Sequence, residues 1–193
     1  MSLLEKILKN STIKTTNTLG ESKIFESQEE VATPIPAVNV ALAGRLDGGF
    51  LPGITVFAGA SKHFKTSFAL LLAKSYLDKY EDAALLFYDS EFGTPQSYFD
   101  AFGIDTERVV HTPITDVEQL KFDIMQQLTN IERGDKIIIV LDSIGNLASK
   151  KEVEDALDQK AVADMSRAKQ LKSLFRMVTP HLTMKDIPMV VVN

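Results

Sequence analysis

Five short apolar runs, separated by polar or helix-periodic stretches, constrain the fold of this chain more than any other feature. The runs are ITVFAG (54–59), ALLFYDSE (84–91), RVVHTP (108–113), KIIIVLDS (136–143) and PMVVVN (188–193). Continuous apolar runs of this length are typical of strands that are buried on both faces. Since the intervals between them can hold crossover helices, the sequence predicts an α/β fold whose mostly parallel sheet is flanked by helices.

Helical patterns fill most of these intervals. The spacing predicts a helix from about Lys65 to Tyr80, a short helix in TPQSYFDAF and a helix around 160–178. Another helix begins near Thr115 and Glu118, which have the spacing of a helix start. Its expected core face is Val117, Leu120, Ile124, Leu128 and Ile131. The charged segment from Lys150 to Lys160 is expected to be a solvated loop.

The N-terminal residues 1–23 are expected to form a helix and a linker, and residues 24–193 the core. Ser2 and Glu5 have the spacing of a capping box at the start of a helix over residues 2–9, which carries an apolar edge. The next segment is rich in Ser, Thr, Asn and Lys, a composition typical of linkers. Two interpretations of the apolar edge stay open: it contacts a partner, or it folds back onto its own core.

Composition excludes several classes of function. The chain has no cysteine, so disulfides, thiolate catalysis and cysteine zinc sites are excluded. The net charge of −5 argues against broad phosphate neutralisation, and any contact with nucleic acid must be local or shared among copies. The first ten residues are too short and too charged for a signal peptide, and no apolar run approaches a membrane span. A cytoplasmic protein without a membrane partner is expected.

The stretch GASKHFKTS (59–67) has the spacing of a phosphate-binding loop with one exception, because Phe64 stands where the pattern has its second glycine. It follows a strand and opens a helix, so backbone N–H groups there would favour phosphate oxygens. Lys65 would pair with the β- and γ-phosphates, and the Thr66 hydroxyl would bind Mg²⁺. The predicted nucleotide-binding residues in this loop are Gly59, Ser61, Lys62, His63, Phe64, Lys65, Thr66 and Ser67.

Phe64 leaves three alternatives for this loop. A phenylalanine in left-handed geometry costs roughly 1–2 kcal/mol. Either Phe64 keeps helical angles, or the loop is strained, or the loop binds no nucleotide. The first is the expectation, and a negative φ at Phe64 would satisfy it.

Two carboxylates follow strand ends at the same edge of the predicted sheet. Asp142 is the penultimate residue of KIIIVLDS, a place where a carboxylate can hold magnesium; taken alone, a turn or helix-cap aspartate is the simpler interpretation. Glu91 follows LLFYDS, where a carboxylate can orient the attacking water; the alternative is an ordinary loop residue. Asp89 beside it is interpreted as structural. Chance rarely places these three motifs in this order, so together they predict a nucleoside triphosphate site.

Three stretches carry a resemblance to a known family. They are NVALAGRLDGGFLPGITVFAGASKHFKTSFAL, LLFYDSEFGTPQSYFDAFGID and IIIVLDSIGNLASKKEVEDAL. The chain resembles the RecA-type strand-exchange ATPases from about residue 24 to Asn193, and within them the UvsX family of T-even-like phages, which also carries phenylalanine before the P-loop lysine. The resemblance implies a RecA-like P-loop core that uses ATP and Mg²⁺.

Residue roles follow from the resemblance. It implies that Lys65 and Glu91 act in catalysis, that Thr66 and Asp142 bind the metal, and that Tyr98 stacks on adenine, although a half-buried structural tyrosine is the alternative from spacing alone. It places the first DNA-binding loop at the charged segment, with Lys150, Lys151 and Lys160 as candidates. Since the acidic residues of that segment nearly cancel its lysines, a solvated segment is the alternative there.

The resemblance also implies partners and a setting. The partners are single- and double-stranded DNA, further copies joined in a helical filament through the N-terminal helix, a recombination mediator and a single-strand-binding protein. The setting is the cytoplasm of an infected bacterial host. The implied function is ATP-dependent homologous pairing and strand exchange in phage recombination, repair and replication.

The family continues well past Asn193, so the core is expected to be incomplete at its C-terminus, as in a fragment, a split-gene product or a shortened chain. Missing segments would put DNA activity and full ATP turnover in doubt. Two other functions stay open: a hexameric helicase-type ATPase of the same fold class, or an inactive nucleotide-binding fragment.

Overall fold

The computed structural model describes residues 1–22, 28–158 and 165–193. A single sheet contains the strands Gly53–Phe57 (β1), Ala84–Asp89 (β2), Val109–Pro113 (β3), Ile137–Asp142 (β4) and Pro188–Val192 (β5). Their order across the sheet is β1-β5-β4-β2-β3. Every neighbouring pair is parallel, which confirms the predicted α/β class and the parallel sheet.

Helices cover both faces of this sheet. Within the described residues they are Leu3–Asn10 (α1), Pro36–Ala43 (α2), Lys65–Lys79 (α3), Gln96–Ala101 (α4), Val117–Asn130 (α5), Lys150–Leu157 (α6) and Ser166–Lys185 (α7). Helix α3 packs on one face with buried Leu70, Leu72 and Ala73. Helices α5 and α7 pack on the other face, where Leu120 and Leu174 are fully buried. None of the helices in the described ranges is both long and apolar enough to cross a membrane.

Burial on both faces holds only for the central strands. All five residues of β5 are buried. In β4 every residue after the first is buried. Strands β1 and β3 form the two edges, where Val56 is 53% exposed and Val110 is 55% exposed. The expectation that every strand is buried on both faces was therefore wrong at the edges, where each strand has a single neighbour.

Helix α5 begins two residues later than Thr115. Its N-cap is Asp116, whose side chain accepts a hydrogen bond from the backbone N–H of Gln119. The Thr115 hydroxyl instead donates to the side-chain oxygen of Gln119. A carboxylate suits this position because it satisfies a free N–H group at the positive end of the helix.

Helix α7 ends at Lys185, beyond the predicted end near residue 178. Its interior contains Pro180, which removes one backbone hydrogen bond. The helix continues because Val178 and Leu182, on either side of the proline, are fully buried on the core face. Burial of an apolar face contributes more than the loss of one hydrogen bond in a long helix.

The charged segment that starts at Lys150 is a helix rather than a loop in its described part. Ser149 caps α6, since its hydroxyl accepts from the backbone N–H of Glu152 while the Glu152 carboxylate accepts from the N–H of Ser149. This reciprocal pair satisfies two free N–H groups at the helix start. Residues 159–164 lie outside the described part of the chain.

Helix α1 has the predicted capping box between Ser2 and Glu5. Its apolar side chains are exposed, with Leu3 at 75%, Leu4 at 54% and Ile7 at 57%. The apolar edge is thus not folded back onto the core in this structure.

Candidate functional site

The carboxyl ends of the strands meet at a cleft of about 620 Å³. This agrees with the general rule that ligands of open α/β sheets bind beyond the strand carboxyl ends. The lining residues are Ser61, Lys62, His63, Phe64, Lys65, Thr66, Ser67, Glu91, Tyr98, Ser143, Gly145, Asn146, Val192 and Asn193. Most of the residues predicted from the sequence therefore lie together on one surface.

The loop between β1 and α3 is held by backbone contacts. The N–H of Gly59 donates to the carbonyl of Asn193 at 3.1 Å, and the N–H of Asn193 donates to the carbonyl of Phe57 at 2.9 Å. The Lys65 ammonium donates to the carbonyl oxygens of Gly59 and Ala60, both at 2.9 Å. This ammonium lies over the loop, where it could exchange its carbonyl partners for the oxygens of an incoming anion.

Phe64 departs from the expectation. Its φ is 57° and its ψ is 21°, in the left-handed region, so the predicted helical conformation was wrong. The residue is the N-cap of α3, and its carbonyl accepts the first hydrogen bond of that helix, from the N–H of Phe68 at 3.0 Å. The chain must therefore turn sharply at Phe64 to enter a helix whose position is fixed by its buried residues.

The strain at Phe64 is not offset by burial of its ring, since the residue is 73% exposed. Lys62 is also left-handed, with a φ of 66°. Of the three alternatives for this loop, the structure has the strained one, at a cost of roughly 1–2 kcal/mol for each such residue.

Thr66 and Asp142 form a direct contact. The Thr66 hydroxyl donates to Oδ2 of Asp142 at 2.7 Å, which joins the start of α3 to the end of β4. The other carboxylate oxygen, Oδ1, is buried and has no hydrogen-bond partner among the described residues. An unpaired buried carboxylate oxygen beside a hydroxyl fits a hard cation such as Mg²⁺, which keeps several waters and takes few protein ligands.

The ionisation of Asp142 reflects this environment. Burial raises the pKa of Asp142, and the nearby carboxylates of Glu91 and Asp89 raise it further. The hydrogen bond from Thr66 and the charge of Lys65 act in the opposite direction. A bound cation would favour the charged carboxylate in the same way, because an opposite charge stabilises the ionised form.

Glu91 lies across the cleft, just beyond β2. Oδ1 of Asp89 accepts from the N–H groups of Glu91 at 3.0 Å and of Phe92 at 2.7 Å, and its Oδ2 lies 3.2 Å from Nε2 of His111. Asp89 therefore shapes this turn, in agreement with its structural interpretation. The Glu91 side chain is exposed and accepts a hydrogen bond from the Ser143 hydroxyl at 2.7 Å.

Tyr98 lies at the mouth of the cleft and is 37% exposed. Its hydroxyl lies 2.9 Å from the hydroxyl of Ser67, and its ring is 5.9 Å from the ring of Phe102. The ring is thus tethered at one end and accessible to a planar ligand.

Several residues that line the cleft were not predicted from the sequence to do so. Gly145 and Asn146 follow β4, and Asn193 follows β5. Their position directly after buried strands is the signal that could have identified them.

Two of the predicted DNA-binding lysines, Lys150 and Lys151, are not among the residues that line the cleft. Lys150 and Lys151 form the first turn of α6, and the Lys151 ammonium lies 3.1 Å from the carboxylate of Asp155. Lys160 lies outside the described residues. Nothing in the described geometry tests a contact with DNA, so these assignments stay predictions.

Comparisons with known proteins match the whole chain. The family model described as the RecA N-terminal domain matches residues 2–193. The recombination and repair protein of Enterobacteria phage T4 is 50% identical over 191 residues, which cover 99% of this chain and 49% of that protein. The chain thus spans about half the length of this curated relative. From the full-length family match and this identity, together with the parallel sheet, it follows that the chain belongs to the RecA family.

Proposed function

We propose that this chain is the ATP-binding core of a DNA recombinase. The observation that carries the proposal is the contact between Thr66 and Asp142 beside the Lys65 ammonium, with Glu91 facing them across one cleft. The similarity to a protein named for recombination and repair supports the choice of recombination over other uses of such a cleft.

The cleft suits a nucleoside triphosphate. The triphosphate would lie in the loop 59–67, with Lys65 on the β- and γ-phosphates and backbone N–H groups of the loop on the phosphate oxygens. Tyr98 would stack on the base. Thr66 and Asp142 would hold Mg²⁺, which when bound neutralises the charge that develops on the phosphates.

Hydrolysis would use Glu91 as the base. Its carboxylate would accept a proton from a water as the water oxygen forms a bond to the γ-phosphorus. The bond between that phosphorus and the bridging oxygen breaks, and ADP leaves with the electron pair. Lys65 stabilises the charge on the leaving oxygens.

We propose that ATP binding holds a helical filament of this protein on single-stranded DNA and that hydrolysis releases it. The filament would pair its strand with homologous duplex DNA and exchange strands in phage recombination, repair and replication. The exposed apolar edge of α1 supports self-association through that helix. A recombination mediator and a single-strand-binding protein are the further proposed partners, in the cytoplasm of the infected host.

The test measures nucleotide binding and turnover with Lys65→Ala. A charge-assisted hydrogen bond contributes about 1.5–3 kcal/mol, so ATP affinity should fall about 10- to 100-fold. Lys74→Ala, at a lysine further along the same helix α3, is the matched control and should bind ATP like the wild type.

In a chain restored past Asn193, turnover should rise when single-stranded DNA is added, and electron microscopy should show helical filaments. Turnover that is indifferent to DNA, or turnover that is indifferent to Lys65, would refute the proposed function. Closed rings with unwinding activity would instead indicate a helicase-type ATPase.

A further inference from the structure

We infer that Ser143 is a positioning residue for Glu91, and that Ser90 fixes Ser143 in turn. The inference rests on the proposed function, because it concerns the orientation of the proposed base. It assigns roles to two buried hydroxyl groups that do not themselves touch the nucleotide phosphates in the proposed mechanism.

The two partners in the contact between Ser143 and Glu91 differ in mobility. The Glu91 side chain is exposed, and its carboxylate accepts a hydrogen bond from the Ser143 hydroxyl at 2.7 Å. Ser143 is only 3% exposed. An exposed glutamate samples many rotamers, so the buried hydroxyl determines where the carboxylate points.

Ser90 holds Ser143 from the neighbouring strand. Its hydroxyl donates to the carbonyl of Ser143 at 2.6 Å and accepts from the N–H of Ser143 at 3.0 Å. The backbone N–H of Ser90 donates to the carbonyl of Asp142 at 2.8 Å. These contacts join the ends of β2 and β4 on the buried side of the cleft, so the Ser143 hydroxyl is carried by a rigid support.

In this arrangement the two oxygens of the Glu91 carboxylate have different roles. Oε1 accepts the hydrogen bond from Ser143, which leaves Oε2 to accept a proton from water. The carboxylate of Asp142 is held separately, by Thr66. Removal of the Ser143 hydroxyl should therefore disturb the base without disturbing the proposed metal and phosphate contacts.

The test compares Ser143→Ala with the wild type in ATP turnover. Loss of an outer hydrogen bond that orients a functional group lowers activity about 10- to 100-fold. We expect kcat to fall by this factor while KM and the affinity for a fluorescent ATP analogue stay within twofold of the wild type. Ser75→Ala is the matched control, since Ser75 is equally a buried serine but bonds within α3, to the carbonyl of Leu71; it should leave kcat unchanged.

A double-mutant cycle separates positioning from a general structural role. In a Glu91→Gln background the base is already gone, so adding Ser143→Ala should lower kcat by less than twofold. A second loss of the same size as in the wild-type background would overturn the inference.

A crystal structure of nucleotide-free Ser143→Ala gives a readout that is independent of activity. The Glu91 carboxylate should leave the position that it holds in the wild type, while Ser90 and Asp142 stay in place. An unmoved carboxylate, or a kcat within twofold of the wild type, would refute the role of Ser143. Wild-type turnover that does not require Lys65 would instead refute the proposed function.

Discussion

Phe64 is held in a left-handed conformation by the helix that begins directly after it. Phe64→Gly should raise the free energy of unfolding by up to about 1 kcal/mol, because glycine adopts this conformation without a Cβ penalty but gains more freedom in the unfolded chain. ATP affinity should be unchanged. Chemical denaturation and nucleotide titration provide the measurement.

The matched variant is Phe64→Val, which places a β-branched residue in the same conformation. Such residues are strong outliers there, so this variant should be less stable than the wild type by about 1 kcal/mol or more. If valine and glycine gave the same stability, Phe64 would not be left-handed in solution.

Asp142 lies in an environment that disfavours its charged form. Burial raises its pKa, so the folded state keeps the proton to a higher pH than the unfolded chain does. Stability should therefore fall as pH rises from the ordinary aspartate pKa of about 4 through the raised value, and the loss is complete above it.

Asp142→Asn should remove this loss. Without magnesium at pH 7, the variant should be more stable by about 0.5–2 kcal/mol, the usual size of a single stabilising substitution. Magnesium-dependent nucleotide binding should be lost. Denaturation with EDTA present measures the first effect, and a less stable variant would contradict the unfavourable burial of this charge.

At the scale of elements, α1 and α6 present the least buried apolar side chains. In α1, exposed Leu4 and Ile7 make no contribution to the core. Changing both to lysine should alter the free energy of unfolding by less than about 0.5 kcal/mol for each substitution, as is usual at exposed sites. Self-association should be abolished because the proposed apolar contact between copies would be lost.

Sedimentation velocity in the presence of ATP and single-stranded DNA measures this assembly. Lys9→Glu, at the polar end of the same helix, controls for a change of charge and should assemble. If the variant in which Leu4 and Ile7 are lysine were less stable than the wild type by several kcal/mol, the helix would be part of the core.

The cap of α6 gives a second prediction at this scale. Ser149 is fully buried, and its hydroxyl accepts from the N–H of Glu152. Ser149→Ala should destabilise the protein by about 1 kcal/mol and speed amide hydrogen exchange in α6. The equivalent change at the exposed cap Ser2 should speed exchange only in α1.

The sequence predicted the elements well where burial determined them. The strands near 84, 136 and 188 were found because their residues are apolar in unbroken runs. Helix α6 was missed because its capping box lies in a segment dominated by charge, so attention to Ser149 and Glu152 would have identified it. The continuation of α7 past Pro180 depends on tertiary packing, which local propensity does not contain.

Across the whole molecule, the strand order decides which loops form the cleft. β5, last in the chain, lies between β1 and β4, which brings Asn193 beside Gly59. Periodicity identifies strands but not their order. The contact of Asn193 with Gly59 and the contact of Ser143 with Glu91 could therefore not be predicted from the sequence. The meeting of Gly59, Glu91 and Asp142 at one edge could be predicted, because parallel strands share the edge at which they end.

Alkaline pH should unfold the whole molecule through three tyrosines, of which Tyr76 and Tyr88 are buried and Tyr80 is half-buried. Burial raises the pKa of Tyr80 to about 12 and also raises the pKa of Tyr76 and Tyr88. The unfolded chain loses these protons near pH 10, so stability should fall as pH rises above 10. Circular dichroism and tyrosinate absorbance should change together.

Tyr88→Phe is the informative variant for this transition. It removes one of the groups whose ionisation is linked to unfolding, and also the hydrogen bond to Asp123 at 2.6 Å. Its stability at pH 7 should be lower by about 1 kcal/mol, but it should decline less steeply with pH. An unchanged slope would show that Tyr88 ionises without unfolding.

The hydrogen bonds that Lys65 makes to its own loop have a consequence for ligand binding and release at the cleft. The Lys65 ammonium donates to two carbonyl oxygens of its own loop, and the Thr66 hydroxyl donates to Asp142. Arrival of the proposed nucleotide would therefore exchange these partners for others, and the heat of binding would be a difference between two sets of bonds. Its departure would restore the bonds of Lys65 and Thr66, which would suit the proposed cycle of ATP binding and hydrolysis.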